Sequence, residues 1–183
     1  MFDLQGLNIY LIGMMGCGKS TIGPLLAAQL GYNFLDTDTT IEKLVSQSIT
    51  ELFQTVGEPE FRKIETQVLA EVSAYVRLIV ATGGGIAIEP ENWNHLHQGL
   101  VIWLDPSVDL LVQRLQDDTT RPLLATPEEL QPKLERILSE RRHRYAEADI
   151  QISLDRHLAP EEIVDRILTK IPTVLKTPSI TPN

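Results

Sequence analysis

The chain has 183 residues, 43% of them hydrophobic and 22% charged, which is the composition of one ordinary globular domain. Its formal net charge of −9 disfavours a nucleic-acid partner, because an acidic protein repels phosphate backbones. One cysteine cannot form an internal disulfide, and no apolar run reaches the roughly 18 residues of a membrane span. We therefore expect a cytoplasmic monomer without a membrane partner, although an organelle protein that has lost its targeting segment would have the same composition.

Short apolar runs alternate with amphipathic stretches along the chain. Runs rich in β-branched and aromatic residues predict strands at 8–13, 32–36, 77–83, 100–105 and 149–154. Helical patterns between them predict helices at 19–30 (ending at Gly31), from about Thr40, from Ser48, at 58–76, at 106–115 and at 160–171. Strands that are regularly separated by helices indicate an α/β fold, in which a parallel sheet has helices on both faces.

Several local signals refine these elements. Ser48 and Glu51 have the spacing of a capping box, and Pro106 is expected in the first turn of its helix. The helix at 58–76 should bury one face, which carries Phe61, Ile64, Val68 and Val72.

The chain divides into one domain, 1–170, and a tail. We expect a substrate-binding helical subdomain at about 37–76 and a mobile lid at about 116–128, where periodicity is absent. The proline- and threonine-rich residues 171–183 are expected to be a disordered tail.

The segment GMMGCGKST at 13–21 follows the first predicted strand and opens a helix. Gly13, Gly18, Lys19 and Ser20 fit the G-x-x-x-x-G-K-[ST] pattern, in which backbone N–H groups and the lysine hold nucleotide phosphates. Ser20 is then a candidate Mg²⁺ ligand. Cys17 lies beside a cation and a helix N-terminus, which favour a thiolate, but an inert small filler is equally compatible with its position.

Asp36 and Asp38 follow the second predicted strand and allow two interpretations. In one, Asp38 or Thr39 is a helix N-cap, and Thr39 forms a capping box with Glu42. In the other, residues 36–38 stay extended and both carboxylates point to one side. One carboxylate would then hold a metal-bound water, while the other accepts the proton of an attacking hydroxyl.

Four weaker features follow in the chain. Arg62 and Glu65 have i, i+3 spacing, which suits a solvated ion pair or a functional one. Three consecutive glycines, Gly83, Gly84 and Gly85, permit close backbone approach to a ligand, or simply a turn. Arg121 lies in the predicted lid, and Arg141 precedes Tyr145 by one helical turn in a basic cluster; either arginine could bind an anion or be solvated.

Together, the segments GMMGCGKSTIG, LDTD, FRKIE, TGGG, TRPLL and RRHRY make the chain resemble the shikimate kinases from about Leu7 to about Ile171. The resemblance implies a P-loop kinase fold with a five-stranded parallel sheet. It also implies transfer of the γ-phosphate of ATP, with Mg²⁺, to the 3-hydroxyl of shikimate in chorismate and aromatic amino-acid biosynthesis.

The resemblance also implies residue roles. It assigns ATP binding to Gly16, Cys17, Gly18, Lys19, Ser20, Thr21, Arg114 and Arg121. It assigns metal binding to Ser20 and, through water, to Asp36. It assigns shikimate binding to Asp38, Arg62, Glu65, Gly83, Gly84, Gly85 and Arg141, and catalysis to Lys19, Asp38 and Arg121. Asp38 is the candidate base, and Glu65 orients Arg62.

The chain departs from the family in one place, where His143 occupies a position that is often proline. The alignment near Arg156 and His157 assigns no role to either. Other P-loop small-molecule kinases remain alternatives: gluconate shares the acceptor carboxylate, whereas nucleoside monophosphate kinases typically carry a DG[FY]P segment that this chain lacks. A non-catalytic relative is a further alternative, although such proteins usually lose the lysine or the acidic pair.

Overall fold

A computed structural model describes residues 4–116 and 127–175. Five parallel strands form one sheet in the order β2-β3-β1-β4-β5. The strands are β1 Ile9–Ile12, β2 Asn33–Asp36, β3 Leu78–Ala81, β4 Leu100–Pro106 and β5 Ile150–Leu154. All four residues of β1 are buried, as expected for a central strand with a helical layer on each face. The predicted α/β fold with a five-stranded parallel sheet is confirmed.

Seven helices connect or follow these strands within the described residues. They are α1 Lys19–Leu30, α2 Thr37–Val45, α3 Ile49–Ser73, α4 Pro90–Leu96, α5 Val108–Leu115, α6 Pro127–Tyr145 and α7 Pro160–Val174. None of the described helices is long and apolar enough to cross a membrane.

The helices α1 and α3 follow the sequence signals closely. Gly31 ends α1 in the left-handed conformation, with φ 66°. The capping box of Ser48 and Glu51 opens α3 as predicted. Two helical halves of α3 meet at Gly57, whose φ of 77° produces a kink. On the second half, Phe61, Val68 and Val72 are buried and Ile64 is half-buried, so the predicted apolar face is confirmed.

Three predicted boundaries were wrong. The helix α2 begins at Thr37 and its N-cap is Asp36, because the Asp36 carboxylate accepts from the N–H groups of Asp38 and Thr39. Pro106 ends β4 instead of opening α5, whose N-cap is Ser107. The apolar face of α7 continues to buried Ile171 and the helix to Val174, past the predicted start of the tail. Most of the predicted lid and the rest of the tail lie outside the described residues.

The topology places three chain segments next to one another. In the sheet, β1 lies between β3 and β4, so the chain order reverses at β1. Ligands of open α/β sheets bind in the crevice beyond the carboxyl ends of the strands at such a reversal. The segments that follow β1, β2 and β3 therefore meet at one edge, although they are far apart in the sequence.

Candidate active site

The loop after β1 forms a phosphate-sized cradle. Gly13, Gly16 and Gly18 have φ values of 136°, 74° and 107°, in the region where a Cβ is strained. Within the described residues, no side chain caps the N-terminus of α1, so its first N–H groups remain open toward the loop. A helix N-terminus with open N–H groups favours an anion. The arrangement matches the predicted phosphate site.

Lys19, the first residue of α1, bends back over this cradle. Its Nζ donates to the carbonyl oxygens of Gly13 and Met14 at 2.9 and 3.0 Å, and lies 3.4 Å from Cys17 Sγ. The residue is only 8% exposed, yet it borders a cavity of about 400 Å³. These carbonyl oxygens hold the Lys19 ammonium group close to the position where it would contact a phosphate. A bound phosphate would therefore replace them as its hydrogen-bond acceptor.

Cys17 is fully buried, and its sulfur faces Gly13 and Lys19. This burial favours the filler interpretation over a reactive thiolate. Its backbone can still contribute to the cradle, because main-chain groups of the loop line the cavity on either side at Gly16 and Gly18.

Arg114, on α5, closes the back of the loop. Its Nη1 donates to the carbonyl oxygens of Gly16 and Cys17, at 3.3 and 3.1 Å. Burial lowers the pKa of this guanidinium, and the Cys17 side chain opposes that shift. Arg114 also lines the cavity, so it can hold the loop and contact a nucleotide from the same position.

Asp36 connects β2, α2 and the cradle. One carboxylate oxygen accepts from Ser20 Oγ at 2.6 Å, while the other accepts the Asp38 and Thr39 N–H groups at 3.0 and 3.2 Å. The expectation that residues 36–38 stay extended was wrong, because Asp38 lies in the first turn of α2. Both Asp36 and Asp38 nevertheless line the cavity with Lys19.

The Ser20 hydroxyl and the Asp36 carboxylate fit a magnesium ion in their chemistry. Mg²⁺ prefers oxygen ligands, commonly takes one or two from the protein, and completes its shell with water and phosphate. The two side chains are in contact, border the cavity and are reached from the cradle. Among the described residues there is no cluster of three or more His, Cys, Asp or Glu side chains that could hold a metal.

Arg62 and Glu65 form a buried ion pair on α3, so the solvated interpretation was wrong. Arg62 Nη1 contacts Glu65 Oε2 at 2.7 Å, and Nη2 contacts Glu58 Oε1 at 3.0 Å. The side chains of Arg62 and Glu65 are 13% and 1% exposed. Burial raises the pKa of Glu65, and the Arg62 guanidinium opposes that shift. The Arg62 guanidinium also lies over the rings of Phe53 and Phe61, at 5.8 and 5.4 Å from their centroids.

Two of the three glycines after β3 lie against charged side chains that a Cβ would displace. A Cβ on Gly83 would collide with the Glu65 carboxylate and lie 2.9 Å from Asp38 Oδ1, and a Cβ on Gly85 would overlap the Arg62 guanidinium. None of the three has a positive φ. Glycine is therefore needed here so that charged side chains can approach the backbone closely.

Arg141 reaches the same glycines from α6. Its Nη1 donates to Gly84 O at 3.1 Å, and the buried Tyr145 hydroxyl donates to the same oxygen at 2.6 Å. Arg141 and Arg62, together with Asp38, are all close enough to Glu65 to influence its pKa. The acidic and basic side chains that were predicted to bind one acceptor therefore approach the same short stretch, residues 83–85, called here the glycine segment.

These side chains do not all line one shared cavity. Lys19, Asp38, Gly84 and Arg114 line the cavity of about 400 Å³, whereas Arg62 and Arg141 do not border it. Arg62 faces a second cavity, of about 710 Å³, between α3 and the segment before α4. The glycine segment lies beside both groups of residues, since Gly84 lines the first cavity and Gly85 lies against Arg62. Arg121 lies outside the described residues.

Sequence reasoning missed some of the cavity lining. Thr82 directly follows β3 and precedes the glycines, and His157 with Leu158 follows β5. Their position at the carboxyl ends of strands could have identified them. The ambiguous alignment left both Arg156 and His157 unassigned; both are exposed, and His157 lines the cavity whereas Arg156 does not.

Comparisons with known proteins agree on one family. Residues 15–172 match the family model described as Shikimate kinase. The chain is 55% identical to the shikimate kinase of Rippkaea orientalis, over 94% of this chain and 92% of that one, and 52% identical to that of Trichormus variabilis, over 94% and 95%. A solved shikimate kinase from Acinetobacter baumannii, in complex with shikimate, superposes with a TM-score of 0.86 at 38% identity, covering 93% of this chain and 95% of that one.

Proposed function

Since the chain belongs to the shikimate kinase family and is an ATP-dependent kinase that acts on a shikimate hydroxyl, we propose how its residues divide that reaction between them. The proposed reaction transfers the γ-phosphate of ATP to the 3-hydroxyl of shikimate, within aromatic amino-acid biosynthesis. The observation that carries the assignment is the position of Asp38, which lines the Lys19 cavity and also lies against the glycine segment that Arg62 and Arg141 approach.

The nucleotide occupies the Lys19 side of the glycine segment. Backbone N–H groups of residues 16–21 bind its phosphates, and Arg114 lies where the remainder of the nucleotide would extend. Lys19 leaves its carbonyl partners and neutralises charge on the transferring phosphoryl group. Ser20, and Asp36 through water, hold Mg²⁺; when bound, the ion neutralises phosphate charge and orients the nucleotide.

The acceptor lies next to Asp38 and the glycine segment, with its hydroxyl in reach of the transferring phosphate. Arg62 and Arg141 bind its carboxylate, because guanidinium groups form charge-assisted hydrogen bonds with carboxylates. Glu65 holds Arg62 by a buried contact, and the N–H groups of the glycine segment lie close to the ring hydroxyls. Asp38 orients the attacking hydroxyl and accepts its proton as the bond to phosphorus forms. Closure of Arg121 over the phosphates stays a prediction.

Measurement of ADP release tests this function. With Mg²⁺ and ATP, shikimate should support turnover, whereas gluconate should support much less, because its flexible open chain loses more conformational freedom when it presents a hydroxyl to Asp38 and its carboxylate to both arginines. Equal turnover with gluconate would contradict the acceptor assignment. ATP binding without turnover on shikimate or any other hydroxy acid would instead indicate a non-catalytic relative.

The remaining expectations also stand as proposals. The chain works as a monomer in the cytoplasm, without a nucleic-acid partner, in keeping with a net charge of −9 and a single cysteine. We propose that residues 1–170 form one catalytic domain, in which about 37–76 are the substrate-binding subdomain and about 116–128 are the lid.

A further inference from the structure

Gly84 O is an acceptor shared by two side chains of α6. Tyr145 Oη donates to it at 2.6 Å and Arg141 Nη1 at 3.1 Å. Tyr145 is fully buried, and its ring packs against that of Trp103, with centroids 5.7 Å apart. Burial raises the pKa of Tyr145 to about 12, so its hydroxyl remains a proton donor at neutral pH.

The same hydroxyl also reaches the phosphate loop. Tyr145 Oη lies 3.8 Å from Met14 Sδ, and the Met14 carbonyl accepts from Lys19 Nζ at 3.0 Å. Gly84 itself lies against this loop, since a Cβ placed on it would be 3.3 Å from Met15 N. One buried hydroxyl therefore contacts both the loop that holds phosphate and the glycine segment beside which the acceptor binds.

We propose that Tyr145 is a positioning residue for phosphoryl transfer, holding the glycine segment and Arg141 in register with the phosphate loop. This inference rests on the proposed function, because it takes Arg141 as the ligand of the acceptor carboxylate. Arg141 lies one helical turn before Tyr145, so the tyrosine fixes the end of α6 that carries the guanidinium. Because the Tyr145 hydroxyl also donates to Gly84 O, the contact between α6 and the glycine segment does not depend on Arg141 alone. The other N–H groups of the Arg141 guanidinium can therefore turn toward the acceptor.

The test is Tyr145→Phe, which removes only the hydroxyl. Tyr10→Phe is the matched control, because Tyr10 is equally buried and its ring packs against Gly99. Within the described residues the Tyr10 hydroxyl makes no hydrogen bond of good geometry, although Asn8 is a polar neighbour. We expect Tyr145→Phe to raise the KM for shikimate roughly two- to tenfold, the worth of one buried hydrogen bond. The KM for ATP should stay near wild type, and Tyr10→Phe should change neither KM.

A double-mutant cycle separates positioning from a general structural role. If Tyr145 acts through Arg141, Tyr145→Phe should add little to the shikimate KM in an Arg141→Ala background, whereas additive effects would overturn the proposal. A lowered melting temperature with an unchanged shikimate KM would also overturn it. If wild-type protein fails to phosphorylate shikimate, the proposed function itself is wrong; if wild type is active and Tyr145→Phe behaves like Tyr10→Phe, only this inference fails.

Discussion

Two carboxylates of α3 hold one guanidinium, and they should differ sharply in importance. Glu65 contacts Arg62 at 2.7 Å with a side chain that is 1% exposed, while Glu58 contacts it at 3.0 Å with a side chain that is 62% exposed. Replacing each by glutamine removes the charge but leaves an oxygen acceptor of similar size. The pair of variants therefore compares a buried with an exposed contact to the same partner.

The magnitudes follow from burial. A hydrogen bond to a charged group is worth about 1.5–3 kcal/mol, and Glu65→Gln weakens such a bond. Part of this loss is offset, because a neutral amide does not carry the desolvation cost of the buried charge, the same cost that raises the pKa of Glu65. We expect Glu65→Gln to lower the free energy of unfolding by about 1–2 kcal/mol. Glu58→Gln should cost less than about 0.5 kcal/mol, since solvent and salt screen an exposed pair.

Urea unfolding, with midpoint and slope measured for each variant, gives the stability difference. Glu60→Gln is the background control, because Glu60 pairs with exposed Lys63 on the same helix. The shikimate KM should rise more in Glu65→Gln than in Glu58→Gln, since only the former frees Arg62 from its buried anchor. A cost for Glu58→Gln equal to that for Glu65→Gln would refute the burial reasoning.

Two further predictions concern the site, and a third concerns Asp105, a buried carboxylate on β4. Asp38→Asn should nearly abolish turnover and leave ATP affinity largely intact, because the amide cannot accept the proton; rapid-quench turnover and ATP titration measure both, and loss of ATP binding would contradict the assignment. Gly85→Ala should raise the shikimate KM at least about tenfold without changing the KM for ATP, since the alanine Cβ would displace Arg62. An unchanged shikimate KM would mean that Arg62 does not bind the acceptor. Burial raises the pKa of Asp105 above its ordinary 3.8, so its contribution to stability is full below that value and is lost as pH rises through the raised pKa. Urea midpoints from about pH 4 to 7 should therefore fall less in Asp105→Asn than in wild type, and parallel curves would contradict this direction.

Local sequence patterns determined most of the architecture. The five apolar runs became the five strands, and Gly31 ended α1, because hydrophobic periodicity and terminal residues act within a few positions. The phosphate loop was readable for the same reason: its glycines, Lys19 and Ser20 lie within nine consecutive residues and need only the strand before and the helix after. The order of the strands in the sheet, by contrast, was decided only by the tertiary structure.

Roles that depend on distant partners were decided only by tertiary packing. Local rules predicted Asp38 or Thr39 as the N-cap of α2, whereas the N-cap is Asp36. The Asp36 carboxylate also accepts a hydrogen bond from Ser20, which is sixteen positions earlier in the sequence. Spacing alone made Arg62 and Glu65 resemble a surface pair; packing against the glycine segment buried them. No pattern within α6 could indicate that Tyr145 shares Gly84 O with Arg141, because that contact spans 61 positions. Periodicity fixes which face of an element is buried, but the atoms that meet across the core depend on how the packed layers fit together.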